Sequence, residues 1–167
     1  MRSTDRMGEV DKAYERALWF LERRERTERE VYERLTKAGF SEDAALGVLE
    51  RLKDAGLVDD EGYAVRYMEA LATKGRGRLR IAQEMRRKGL TDELVRNTLE
   101  DGLLDEDERE RAIDAARKAW AAVPDGMEPR KAVAKVNRRL VTLGFSYSII
   151  GEAMDRLRRE CQDDAKE

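Results

Sequence analysis

The sequence predicts an all-α chain of three tandem three-helix repeats that stack into an elongated, curved helical array. Three observations carry this. One pattern occurs three times: Leu35-Thr-Lys-Ala-Gly39-Phe40-Ser41 returns as Met85-Arg-Arg-Lys-Gly89-Leu90-Thr91 and again as Leu140-Val-Thr-Leu-Gly144-Phe145-Ser146. The glycines lie 50 and 55 residues apart. Each copy reads as a helix end, a glycine stop, an apolar residue and a hydroxyl N-cap that opens the next helix. Apolar residues also recur at fixed offsets from these glycines: Val31, Ile81 and Val136 eight before, Leu35, Met85 and Leu140 four before, and Leu49, Leu99 and Met154 ten after. Finally, 41% apolar residues stand beside 42% charged ones, against a usual charged share of roughly 25%. That mixture describes helices with one apolar stripe and heavily charged backs, and the scarcity of aromatics and proline disfavours a β fold.

The elements follow in order. A first helix is expected over about residues 12–24, because Tyr14, Ala17, Leu18 and Leu21 share one face. Thr27-Glu-Arg-Glu30 is a capping box that opens a second helix on Val31 and Leu35. Ser41 caps a third, with Ala45, Val48, Leu49 and Leu52 on its stripe, and Gly56 stops it. After Asp59-Asp60, the residues Ala64, Tyr67, Met68 and Leu71 predict a fourth helix, broken at Lys74-Gly-Arg-Gly77. A fifth runs on Ile81, Ala82 and Met85 to about Lys88, and Thr91 caps a sixth, which ends at Gly102. The acidic stretch Asp105 to Glu110 starts a seventh, with a small-residue stripe of Ala112, Ala115, Ala116 and Ala119 beside Trp120. Val123-Pro-Asp-Gly126 is a turn, and Pro129 suits the first turn of an eighth helix, which buries Val133, Val136 and Leu140. The ninth follows Ser146 on Ile150, Ala153, Met154 and Leu157. The expected organisation is a flexible tail at 1–11, repeats at 12–60, 61–104 and 105–161, and a short tail at 162–167. One unit of about 50 residues is marginal alone, and stacking buries a continuous core, as in binding arrays.

Composition excludes several functions. The chain has no histidine and a single cysteine, Cys161. It therefore lacks the usual general base near neutral pH, the commonest metal ligand and any thiolate metal set. No cofactor is expected, and no enzyme. No apolar run approaches the roughly 20 residues that span a bilayer, and no leader pattern opens the chain, so a soluble cytoplasmic monomer is expected. Gly75-Arg-Gly77 is a helix junction and not a phosphate loop, since GxxxxGK[ST] is absent. Asp59-Asp60 reads as helix capping and dipole compensation. Trp19, Phe20, Tyr32, Tyr63 and Tyr67 read as core or inter-repeat packing, with Tyr147 partly exposed.

Several segments together resemble the RecX family of recombinase regulators. Gly56-Leu-Val-Asp59-Asp60-Glu61-Gly62-Tyr63-Ala64 is similar to that family's Gly-x-x-Asp-Asp-x-x-(aromatic)-Ala signature. Arg23 to Val31 looks like its Arg-rich capping-box segment, Gly77 to Gly89 like its Gly-x-x-x-Ile…Glu-Leu-x-x-Lys-Gly stretch, and Leu143-Gly144-Phe145-Ser146-Tyr147 like its third-repeat Gly-Phe-Ser motif. The resemblance covers about residues 13–160. Gly75-Arg-Gly77 and Gly62 depart from the pattern at two junctions. What the resemblance implies is a non-enzymatic modulator that lies in the groove of the filament formed by the RecA recombinase on single-stranded DNA. There it would suppress ATP hydrolysis and strand exchange and block filament growth or promote disassembly.

Charge distribution suggests where such a partner would sit. Net charge is only -2, but Lys74 to Gly89 holds seven cations (Lys74, Arg76, Arg78, Arg80, Arg86, Arg87, Lys88) against one anion, Glu84. Glu100 to Glu110 holds seven anions against Arg109. The blocks polarise the surface, and the basic one suits phosphates or an acidic protein face. A second basic run, Arg130 and Lys131 with Lys135, Arg138 and Arg139, is expected to extend it. Reversing Arg78, Arg80 and Arg87 is expected to weaken filament binding without unfolding the chain. Two other readings stay open: a stand-alone helical nucleic-acid-binding protein, and a scaffold for a different protein partner.

Overall fold

The computed structural model describes the backbone of residues 2–164 and the side chains of residues 8–162. Among these residues nine helices follow in order: α1 (Arg2–Leu21), α2 (Glu28–Lys37), α3 (Glu42–Asp54), α4 (Asp60–Thr73), α5 (Arg78–Arg87), α6 (Asp92–Gly102), α7 (Asp105–Ala121), α8 (Pro129–Leu143) and α9 (Tyr147–Asp164). The extensive helix–helix contacts all fall within the triplets α1–α3, α4–α6 and α7–α9. Each triplet has its own core. Val31, Leu35, Val48 and Leu52 centre the first, Ile81, Met85 and Val95 the second, and Ala112, Ala116, Val136 and Leu140 the third. The accessible surface of 11187 Å² exceeds by about a third the ~8,400 Å² of a compact monomer of this mass, as an extended array requires.

Local chemistry explains the punctuation. The Thr27 hydroxyl accepts from the Glu30 N–H at 3.2 Å while the Glu30 carboxylate accepts from the Thr27 N–H at 3.2 Å, closing the capping box. Ser41, Asp59 and Thr91 cap α3, α4 and α6 with the first half of that arrangement, each side chain accepting from the N–H three residues on, and Ser146 accepts from the Ile149 N–H at 3.3 Å. Gly39, Gly89 and Gly144 are all left-handed, with φ of 94, 85 and 88°, so each helix end turns at a residue that carries no Cβ.

The α1 boundaries differ from the sequence expectation. The helix begins at Arg2, inside the segment expected to be a tail, and ends at Leu21 instead of near residue 24. Its early turns have partners: the Glu9 carboxylate accepts from the Ser41 N–H at 2.8 Å and from the Ser41 hydroxyl at 3.0 Å, and Asp11 meets Arg51 at 2.9 Å. Past Leu21, the polar run to Arg26 offers no apolar residue to continue the stripe. At the other end α9 continues to Asp164, and residue 1 with 165–167 lies outside the described residues. The α4 helix opens at Asp60, one residue before the expected boundary at 61.

The units join through one repeated joint. The Thr27 hydroxyl donates to the Lys88 carbonyl at 2.6 Å, and the equivalent Gly77 N–H donates to the Leu143 carbonyl at 2.9 Å. The N-terminus of α2 thus sits on the C-terminus of α5, and that of α5 on that of α8. Each joint satisfies carbonyls left over at a helix end and aligns opposite ends of helix dipoles. An acid from the following unit completes it: Asp60 accepts from the Glu28 N–H at 2.9 Å, and buried Glu108 accepts from the Arg78 N–H at 2.8 Å. Both glycine stops lie in these joints. A Cβ at Gly89 would collide with the Arg29 stem, and one at Gly144 with the backbone of Arg80.

Candidate functional site

Folding divides the first basic block. Arg78 turns inward: its Nη1 donates to the Leu99 carbonyl at 3.1 Å, Nη2 to the Leu103 carbonyl at 2.6 Å and to Asp105 at 3.0 Å, and Nε to Glu108 at 3.3 Å. Four contacts on the end of α6 and the start of α7 leave this guanidinium little to offer a partner. Arg80 is half-buried, pairs with Glu84 at 2.8 Å and underlies Gly144. Lys88 pairs with Glu30 at 3.1 Å, with its ammonium 5.9 Å from the Tyr67 ring centre. These three residues serve the joints. The expectation that reversing Arg78 spares the fold is therefore corrected, because it would place a carboxylate beside Asp105 and Glu108 in a joint that its cation holds; the Arg80 cation pairs within α5, and only its backbone and Cβ lie at the joint. Arg86 and Arg87 are exposed, beside Asp92 at 2.6 Å and Glu84 at 3.6 Å, and Lys74 is exposed at the end of α4.

Of the second run, Arg130, Lys131, Lys135, Arg138 and Arg139 all stand exposed on α8. Lys135 and Arg139 share a face four residues apart and meet Lys74 across a cleft between the second and third units. The cleft has a volume of about 720 Å³ and a floor of Ala72, Ala115, Ala119, Ala122 and Leu143. The two basic blocks thus share one concave site through these three residues, although Lys74 and Lys135 lie 61 residues apart in sequence. Arg76, Arg86, Arg87, Arg130, Lys131 and Arg138 do not line it.

The α7 helix adds two cations that sequence reasoning missed. Arg111 and Lys118 line the same cleft, seven residues apart on one face with Ala115 and Ala122. Spacing 111, 115, 118 and 122 was a usable signal, hidden behind the acidic start of the helix. Burial pulls the Arg111 guanidinium below its ordinary pKa, opposed by nearby Glu108 and Asp107. Its Nε and Nη2 are sheltered from solvent and have no hydrogen-bond partner. The single acid of the cleft, Asp114, is engaged with Arg117 at 3.0 Å.

Aromatic residues contribute unevenly. Tyr63 is buried, its phenol pushed up to about 12 chiefly by desolvation. Trp19 departs from the packing expectation: it is 44% exposed, with the guanidiniums of Arg16 and Arg23 each 5.0 Å from its ring centre. Cations thus cover part of the ring. Tyr147 is 83% exposed. Asp59 accepts from the Gly62 N–H at 3.1 Å, a capping role that agrees with the sequence reading. Among the described residues no helix is long and apolar enough to cross a membrane.

Comparisons with known proteins agree with this architecture. Residues 13–52 match the family model described as RecX, first three-helix domain, and residues 59–99 the second three-helix domain. A regulatory protein RecX of Mycolicibacterium smegmatis is 36% identical over 131 residues, covering 75% of this chain and 69% of the relative. One of Prosthecochloris aestuarii is 30% identical over 151 residues, covering 90% and 96%. The crystal structure of RecX from Lactobacillus salivarius superposes with a TM-score of 0.81 at 27% identity, covering 91% of this chain and 98% of that one.

Proposed function

The chain belongs to the RecX family of regulatory proteins, and from that premise we propose that it binds the RecA–single-stranded DNA filament as a cytoplasmic monomer. It acts by binding, without catalysis, and mainly inhibits ATP hydrolysis, filament growth and strand exchange. The observation that carries this reading is the cleft in which Lys74, Arg111, Lys118, Lys135 and Arg139 face a single, already paired acid. In a chain of net charge -2, such a concentration of cations in a concave groove orients a negatively charged partner. Exposed Arg86 and Arg87, with Arg130, Lys131 and Arg138 on the outer face of α8, supply further contacts along the filament. The joint at which Arg78 and the α5 N-terminus meet the third unit keeps the groove's walls in register.

The test is ATP hydrolysis by RecA on single-stranded DNA, titrated with this protein up to stoichiometric amounts, with its affinity for free DNA as control. The expected result is inhibition at concentrations where the free DNA is not coated. Inhibition seen only when the protein covers the DNA would replace this reading with that of a stand-alone nucleic-acid-binding protein. No inhibition at all would leave neither the filament nor its ATPase as the target.

A further inference from the structure

Arg111 is a guanidinium built into the wall of a cleft with part of its hydrogen-bonding capacity unused. Its Nε and Nη2 lie out of contact with solvent and donate to nothing. An unmet buried donor costs free energy, and a charged one costs more. Glu108 and Asp107 offset part of that cost through space, but neither accepts from these two atoms: Glu108 is spent on the Arg78 backbone and side chain, and Asp114 on Arg117. These two N–H groups point away from the open cleft that the rest of the residue lines, so a ligand reaches them only when the guanidinium turns outward.

The Nε and Nη2 edge of a guanidinium presents two parallel N–H bonds, which match two oxygens of one tetrahedral or planar anion. Around it stand Lys74, Lys118 and Lys135, which are point charges, and Arg139, a second guanidinium. A lone carboxylate would use Arg111 and leave four rim charges unmatched. A strand carrying a charge at every phosphate uses both. The apolar floor of alanines and Leu143 offers a surface on which sugars or bases can lie.

We infer that this cleft is a phosphodiester site: one backbone phosphate of single-stranded DNA is held two-pointed by Arg111, with flanking phosphates on Lys74, Lys118, Lys135 and Arg139. An entering phosphate draws the Nε and Nη2 edge towards the open cleft. The inference rests on the reading that the chain meets single-stranded DNA in the filament, and it assigns direct DNA contact to the boundary between the second and third units.

The experiment uses the full chain alone with a fluorescent oligo-dT of about 20 nucleotides, read by anisotropy at several salt concentrations. Arg111→Gln is expected to weaken binding about tenfold or more, the scale of hydrogen bonds to a charged group, with an unchanged or raised Tm because a buried unpaired cation has been removed. Arg111→Lys should recover only part of the affinity, since a point charge lacks the two-point geometry. Lys135→Gln should lower the slope of log affinity against log salt by about 0.7. Oligo-dT affinity unchanged in Arg111→Gln, absence of binding by the native chain, or equal binding of a poly-Glu peptide of the same charge would each overturn the assignment. The RecA ATPase assay separates this from the filament reading. If Arg111→Gln inhibits like the native chain and keeps its oligo-dT affinity, the phosphate site fails while the filament reading stands.

Discussion

Arg78→Ala tests most directly how the units are joined. The side chain is 28% exposed and reaches Leu99, Leu103, Asp105 and Glu108. Its removal leaves two carbonyls at the end of α6 without these donors, and Glu108, 5% exposed, without its opposite charge. The Arg78 backbone N–H still caps that carboxylate, so the loss lies at the lower end for breaking a buried pair, about 3 kcal/mol. For a chain of this length, each kcal/mol shifts Tm by roughly 2–4 °C, so a fall of about 6–12 °C is expected. Thermal unfolding followed by circular dichroism measures it, with Arg87→Glu as the exposed control that should stay within about 0.5 kcal/mol of the native chain. A cycle with Glu108→Gln should return a coupling of about 1–2 kcal/mol. If Arg78→Ala matches the exposed control, or the coupling is absent, Arg78 is not the latch, and its place on a binding face must be restored.

Other perturbations probe the same joints. Gly144→Ala should cost about 2 kcal/mol more than Gly39→Ala in denaturant unfolding: both glycines are left-handed, but only at Gly144 would the new Cβ meet the backbone of Arg80. Equal losses would mean that backbone conformation alone matters there. Thr27→Val removes the cap acceptor for α2 and the donor to the Lys88 carbonyl at a fully buried site, for an expected loss of about 2–3 kcal/mol. Thr27→Ser should retain most of it, and a Val variant as stable as the native chain would refute the joint. Burial raises the Asp60 carboxyl above its ordinary pKa, against the hydrogen bond from the Glu28 N–H. The folded chain therefore binds the proton more readily than the unfolded one, and this group's destabilising effect grows as pH rises through that window. Asp60→Asn keeps an acceptor and should be at least as stable as the native chain at about pH 7, with the advantage gone by about pH 3; an advantage that grows towards acid pH would reverse the assigned sign.

The repeat was legible because helix ends are local chemistry. A glycine stop, an apolar residue and a hydroxyl cap act over a few residues, so Gly39, Gly89 and Gly144 marked their helix ends wherever the units finally packed. The stripes through Val31, Ile81 and Val136 were legible for the same reason, since helical periodicity brings them to one face before any tertiary contact forms. The start of α1 was not: its polar early turns are held by Ser41 and Arg51, more than thirty residues away in sequence.

A charged, all-α array and the residues that cap, stop and fill each helix are legible in local pattern. The sequence also marked two basic runs, but their charges looked alike on paper. Packing settles which cations are spent at the joints, Arg78 and Lys88, and which converge, Lys74 with Lys135 and Arg139. It alone brought Arg111 and Lys118 to the same cleft from a helix that begins with acids. The physical reason is one of range: capping and periodicity depend on neighbours a turn away, whereas the use of a charge depends on what the fold places opposite it.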